Sequence, residues 1–132
     1  MMIEEEIYNK CKKDWNCASS IISSLPFEED TKKRIMESYV EKFVGKRIFL
    51  AQVVTSMIYK CGELNSKKDE INCYLSTYYS GRIEIPLREN YLILLHSIFR
   101  NIIKDNHEED LLDMCKQGNE LACDFVEEIS LI

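Results

Sequence analysis

Turn-forming residues are scarce in this sequence. The 132-residue chain holds four glycines and two prolines. All-β folds need turn residues every ~8–12 positions, so that class is excluded and an all-α fold is expected. Glycine-rich phosphate loops, a GxSxG elbow, HExxH and CxxC are all missing. Those motifs supply phosphate cradles, nucleophiles and metal ligands. No cofactor, no metal site and no enzymatic activity is therefore expected. No apolar run reaches the ~18 residues that span a bilayer. The N-terminal MMIEEE has neither the basic nor the apolar segment of a secretory signal, and no Asn-x-Ser/Thr sequon occurs. A basic excess is also lacking: the net charge is −6, which argues against nucleic acid as a partner. Lys32, Lys33 and Arg34 lie among Glu28, Glu29, Asp30 and Glu37 and read as a solvated helix face.

What is present can build a core. The apolar fraction is 45%, and the length fits one domain over residues 1–132. Six cysteines occur, at 11, 17, 61, 73, 115 and 123. Without a visible signal sequence they read as reduced thiols of an intracellular protein, acting as small core hydrophobes.

Apolar spacing predicts about seven helices. Ile3, Ile7, Cys11, Trp15, Ala18, Ile22 and Leu25 form one stripe of five or six turns. Glu4–Glu6 stand at its positive end, and Pro26 closes it or starts the next helix. A second helix covers about Glu28–Val44, with Gly45 as its C-cap. A third, about Lys46–Cys61, is apolar on more than one face. Asn65 and Ser66 are N-cap types with Asp69 at capping-box spacing, which starts a fourth helix over about Lys67–Tyr79. Pro86 suits a first helical turn, and Leu87–Ile103 is apolar all round, as a central buried helix would be. Asn106, with Glu109 three residues on, starts a sixth helix, and Gly118 ends it. Leu121, Ala122, Phe125, Val126 and Ile129 form the stripe of the last. The segment CKQGNELAC resembles half of a Sel1-like repeat, but such repeats stack in arrays and only one fragment is here.

His96 reads as a core or groove residue and His107 as an exposed one at a helix start. Tyr39, Phe43, Phe49, Tyr74, Tyr78, Tyr79 and Tyr91 all fall on the second to fifth helices. Tyrosine at a half-open groove offers contact area with a polar tip. Such a groove takes an amphipathic helix through anchors at i, i+3/i+4 and i+7. A helix-binding module is thus the leading functional class.

SGRI (Ser80–Ile83) ahead of the apolar fifth helix resembles the Gly-Arg core of the first Bcl-2 homology motif. RIMESYVEKF, PLRENYLILLHSIFRNIIKDN, EEDLLDMCKQGNELACDFVEEI and MMIEEEIYNKC are similar in pattern to helices of the divergent poxvirus inhibitors of apoptosis. The usual Asn-Trp before Gly-Arg is replaced by Tyr79-Ser80. The resemblance implies a Bcl-2-like bundle around a central helix. It also implies a groove for BH3 helices of Bak, Bax or Bim type. Its lining would be Tyr39, Phe43, Phe49, Val53, Met57, Tyr74, Tyr78 and Tyr91, with Arg82 meeting the ligand's aspartate. It further implies the cytoplasm or the mitochondrial outer membrane, an anchor outside this chain, and room for a homodimer. Two alternatives stand beside it. One is a groove-closed relative that blocks innate immune signalling. The other is an acidic helical immunity or antitoxin protein masking a basic toxin.

Overall fold

The computed structural model describes residues 2–64, 66–80 and 85–130. The fold is all-α, with no strand among the described residues. Its helices are α1 (Ile3–Cys11), α2 (Trp15–Ser23), α3 (Glu29–Tyr39), α4 (Lys46–Gly62), α5 (Lys67–Ser80), α6 (Glu89–Lys116) and α7 (Glu120–Ser130). A π-helical turn, Val40–Val44, follows α3. Two compact units are formed, one by Met1–Val53 with Ile83–Leu95, the other by Val54–Arg82 with His96–Ile132.

In the first unit α1, α2 and α3 pack on one another. The long first helix expected from the sequence is two. Lys12 adopts φ 55°, a left-handed conformation that stops α1. Asp14 then caps α2, its carboxylate accepting from the N–H groups of Asn16 (2.9 Å) and Cys17 (3.2 Å). The Tyr39 hydroxyl donates to the Lys12 carbonyl and ties the break to α3. Ser38 and Lys42 both donate to Glu4, at 3.0 and 3.2 Å, which fastens α1 to the same element. Gly45, with φ 99°, turns the chain into α4, and its N–H reaches the Val40 carbonyl at 2.7 Å. Its role as a cap therefore agrees with the sequence reading.

In the second unit α5 packs on α7. Ile71, Tyr74, Leu75 and Tyr78 are buried on α5, and Ala122, Phe125 and Ile129 on α7. The Ser66 hydroxyl caps α5 by accepting from the Asp69 N–H at 3.1 Å, whereas Asn65 lies outside the described residues. Asn119 caps α7 through Ala122 N–H (3.0 Å) and donates to Asn72 of α5 (2.8 Å). The helix boundary expected at Asn106 is present: the backbone leaves helical geometry at His107, where two helices meet. α6 runs on to Lys116 with a kink at His107 (φ −136°, ψ 18°).

Two expectations about burial are corrected. α6 is not buried all round: Tyr91, Leu95, Phe99 and Ile103 are buried, but Ile93 is 63% and Leu94 36% exposed. The helix begins at Glu89, three residues after Pro86. On α4, Phe49, Leu50, Val53 and Val54 are buried and Ile48 stands in solvent. Both helices bury one stripe, as amphipathic helices do.

The cysteines are also not reduced thiols. All six pair, as Cys11–Cys17, Cys61–Cys73 and Cys115–Cys123, and none is free. Cα–Cα separations of 5.5, 5.6 and 4.6 Å lie in the range that a disulfide bridges. Each bond closes the turn between successive helices: α1–α2, α4–α5 and α6–α7. Loops of 6, 12 and 8 residues are closed. Chain entropy then assigns about 2–3 kcal/mol to each, with the largest share for Cys61–Cys73. Replacing Cys61 and Cys73 together by alanine should lower unfolding stability by about 3 kcal/mol in urea titration. Intact mass without reductant should fall short of the reduced chain by six hydrogens, two per bond.

Candidate functional site

Three groups of polar side chains lie against the helices, each within one unit. In the first unit Glu37 of α3 is only 3% exposed. Arg88, in the residues before α6, donates through Nε to its Oε2 and is itself half exposed. Oε1 of Glu37 is buried without a hydrogen-bond partner. Nearby, the Tyr91 hydroxyl donates to Glu41 at 3.3 Å, and the Lys46 ammonium sits 4.5 Å from the Tyr91 ring centroid. Glu37 can sit on the buried side of α3 because Arg88 meets its charge there.

In the second unit Tyr78 is a hub. Its ring lies edge-on to Phe125, His96 and Tyr79, with centroids 5.5, 5.5 and 5.0 Å away. Its hydroxyl donates to Glu128 at 2.5 Å, and Tyr79 donates to the other oxygen of the same carboxylate at 3.1 Å. Arg100 pairs with Glu128 at 3.6 Å. The third group is also in this unit. There the Tyr74 hydroxyl donates to Glu70 at 2.6 Å, and the Tyr74 ring lies 5.5 Å from that of His107. His107 is half-buried, not exposed as the sequence suggested. His96, by contrast, lies beside a core tyrosine as expected.

The expected groove lining divides as follows. Tyr39, Phe43, Phe49, Val53 and Tyr91 belong to the first unit, and Met57, Tyr74 and Tyr78 to the second. Tyr39, Phe49, Val53, Tyr74, Tyr78 and Tyr91 are buried, while Phe43 and Met57 are half-buried. The structure brings together Tyr74 and Tyr78, which both face Phe99 at 6.3 and 6.2 Å. Phe43 meets Tyr8 edge-on at 5.1 Å. Gly81 and Arg82 lie outside the described residues. Glu37 is buried, where the sequence reading put it on a solvated helix face, and Glu128 and the exposed pair Ile93–Leu94 went unnoticed in the sequence. Only for the last pair was a signal present, the uncharged run from Tyr91 to Phe99.

No group of three or more His, Cys, Asp or Glu among the described residues could hold a metal ion. No helix of the described residues is long and apolar enough to cross a membrane. No protein-family model matches the chain, and comparison with the curated proteins and with the solved structures gives no match either.

Burial pushes the Tyr74 phenol up to about 12, with Glu70 adding to the shift. Burial also raises Tyr39, Tyr78, Tyr79 and Tyr91; a nearby carboxylate adds in each case, Glu128 for Tyr78 and Tyr79, and Glu41 for Tyr91. A raised phenol favours the folded state while neutral. Its stabilisation is complete below the ordinary value of 10.0 and is lost as pH climbs through the folded value. Ultraviolet titration of phenolate should therefore show these five ionising late, and stability should fall between pH 10 and about 12, less steeply in Tyr74→Phe. For the first unit, Arg88→Ala strands the Glu37 carboxylate and should cost about 2 kcal/mol in chemical denaturation. Adding Glu37→Leu should recover most of that loss.

Proposed function

We propose that this protein is an interaction module that docks an amphipathic helix of a partner on the exposed face at the start of α6. The observation that carries this reading is Ile93 at 63% and Leu94 at 36% exposure, inside a run with no charged residue from Tyr91 to Phe99. Two adjacent exposed aliphatic side chains offer an apolar contact on a surface that is otherwise rich in charge. Arg88, Glu89 and Asn90 are exposed just before the run and supply a polar rim. The burial of six of the eight described groove residues supports docking on this face over insertion into an aromatic groove. The fully paired cysteines suit an oxidising compartment better than the cytosol.

BH3 peptides of Bak, Bax and Bim type are the natural probes, being amphipathic helices of the class the resemblance implies. Calorimetry should compare the wild type, Ile93→Asp with Leu94→Asp, and Arg82→Ala. Burying two large aliphatic side chains is worth about 1.5–3 kcal/mol each, so the double variant should weaken any peptide more than ten-fold and Arg82→Ala should leave it unchanged. Binding that follows Arg82, or a panel with no binder, overturns this reading.

A further inference from the structure

The second unit carries a cleft of about 400 Å³ that the reading above does not use. Ile58 of α4 and Ile102 and Ile103 of α6 make its apolar wall, and Glu70 and Tyr74 of α5 face it. His107 completes it at the kink of α6. A pocket of 300–1,000 Å³ with apolar walls and a few convergent polar groups is the usual form of a small-molecule site.

The polar groups define what it would hold. Glu70 accepts from the Tyr74 hydroxyl but makes no ion pair among the described residues. Lys67 and Asn106 also line the cleft, and Lys67 pairs with Asp110 at 3.3 Å and makes no ion pair with Glu70. His107 Nδ1 is buried with no hydrogen-bond partner. A buried polar nitrogen without a partner is costly unless a ligand supplies one. The kink matters here, because an unbroken helix at His107 would aim its side chain elsewhere. A carboxylate without an ion pair and an unpartnered imidazole nitrogen lining one cleft, with aliphatic walls and an aromatic ring, ask for a donor head on an apolar body.

We infer that this cleft binds a small arylalkylamine-type organic cation, with its ammonium on Glu70 and His107 and its ring against Ile58, Ile102 and Tyr74. The ammonium provides both the charge that Glu70 lacks and the N–H donors that His107 Nδ1 can accept. An organic anion of the same shape would meet Glu70 with like charge and be rejected.

The test is titration of the full, disulfide-intact chain with tyramine, followed by NMR shifts of residues 58–74 and 102–107 and by calorimetry. 4-Hydroxyphenylacetate, which has the same ring with an anionic head, serves as the control. Tyramine should bind saturably with shifts confined to the cleft, and the anion at least ten-fold more weakly. Glu70→Gln keeps an acceptor for Tyr74 and should lower tyramine affinity at least ten-fold. Ile102→Trp fills the cleft and should abolish binding while leaving the circular dichroism spectrum unchanged. No saturable tyramine binding, equal binding of the anion, or an unaffected Glu70→Gln variant overturns the assignment. Each result is independent of whether peptides dock at Ile93 and Leu94.

Discussion

Covalent closure of helix turns is the constraint on which this architecture leans. A chain with four glycines and two prolines has few residues that turn freely. Three of its six helix-to-helix connections are instead pinned by disulfides, each between neighbours in the chain. The other three use different means. Gly45 takes φ 99° between the π-helical turn and α4. Between α2 and α3, Lys32 donates to the Ser23 carbonyl at 3.0 Å. The connection before α6 holds Pro86 and Arg88, and the latter is anchored on Glu37. Local cross-links restrict the unfolded chain without demanding long-range register. Contacts between distant segments, such as Tyr78 with Glu128, then act on helices whose neighbours are already held.

Side-chain polarity follows a single rule in both units. A carboxylate is drawn to buried or half-buried helix faces where a distant residue, or for Glu70 one a turn along the same helix, meets it. Glu37 meets Arg88, Glu128 meets Tyr78, Tyr79 and Arg100, and Glu70 meets Tyr74. Tyrosine is the preferred partner because it donates one hydrogen bond while burying a ring. That explains the abundance of tyrosine better than a groove does: Tyr39, Tyr74, Tyr78 and Tyr91 fill the core and still place their hydroxyls on acceptors.

Periodicity made the helices legible. α4, α5 and α7 lie within a residue or two of where apolar spacing puts them, because each has caps and a stripe encoded locally. The boundary beside His107 was legible from Asn106 as an N-cap type, but the break at Lys12 was not. No local rule requires Lys12 to take φ 55°; Tyr39, 27 residues on, accompanies it there through a hydrogen bond. The kink at His107 sits beside the Tyr74 ring, 33 positions away. The cysteines were read as reduced thiols because no signal sequence is visible, and that inference about compartment says nothing about which sulfurs the fold brings together. The aromatic groove was misjudged in kind: the spacing of Tyr74 and Tyr78 marks a buried face as readily as a binding face.

The exposure at the start of α6 has a geometric cause. Tyr91, Leu95, Phe99 and Ile103 recur every fourth residue, whereas a helix turns in 3.6. Such a stripe winds about 40° further round the cylinder at each step. A sequence that is apolar on every side near Tyr91 therefore cannot be covered on every side by one straight packing face. Ile93 falls opposite the stripe at its beginning, whereas Leu94, Ile98 and Ile102 each precede a stripe residue by one position and lie beside it; Leu94 is exposed, and Ile98 and Ile102 are half-buried. The drift cannot continue indefinitely, and the kink at His107 interrupts it before Leu111 and Met114 take up a new buried face. The exposure of Ile93 is thus a consequence of the spacing of the buried stripe.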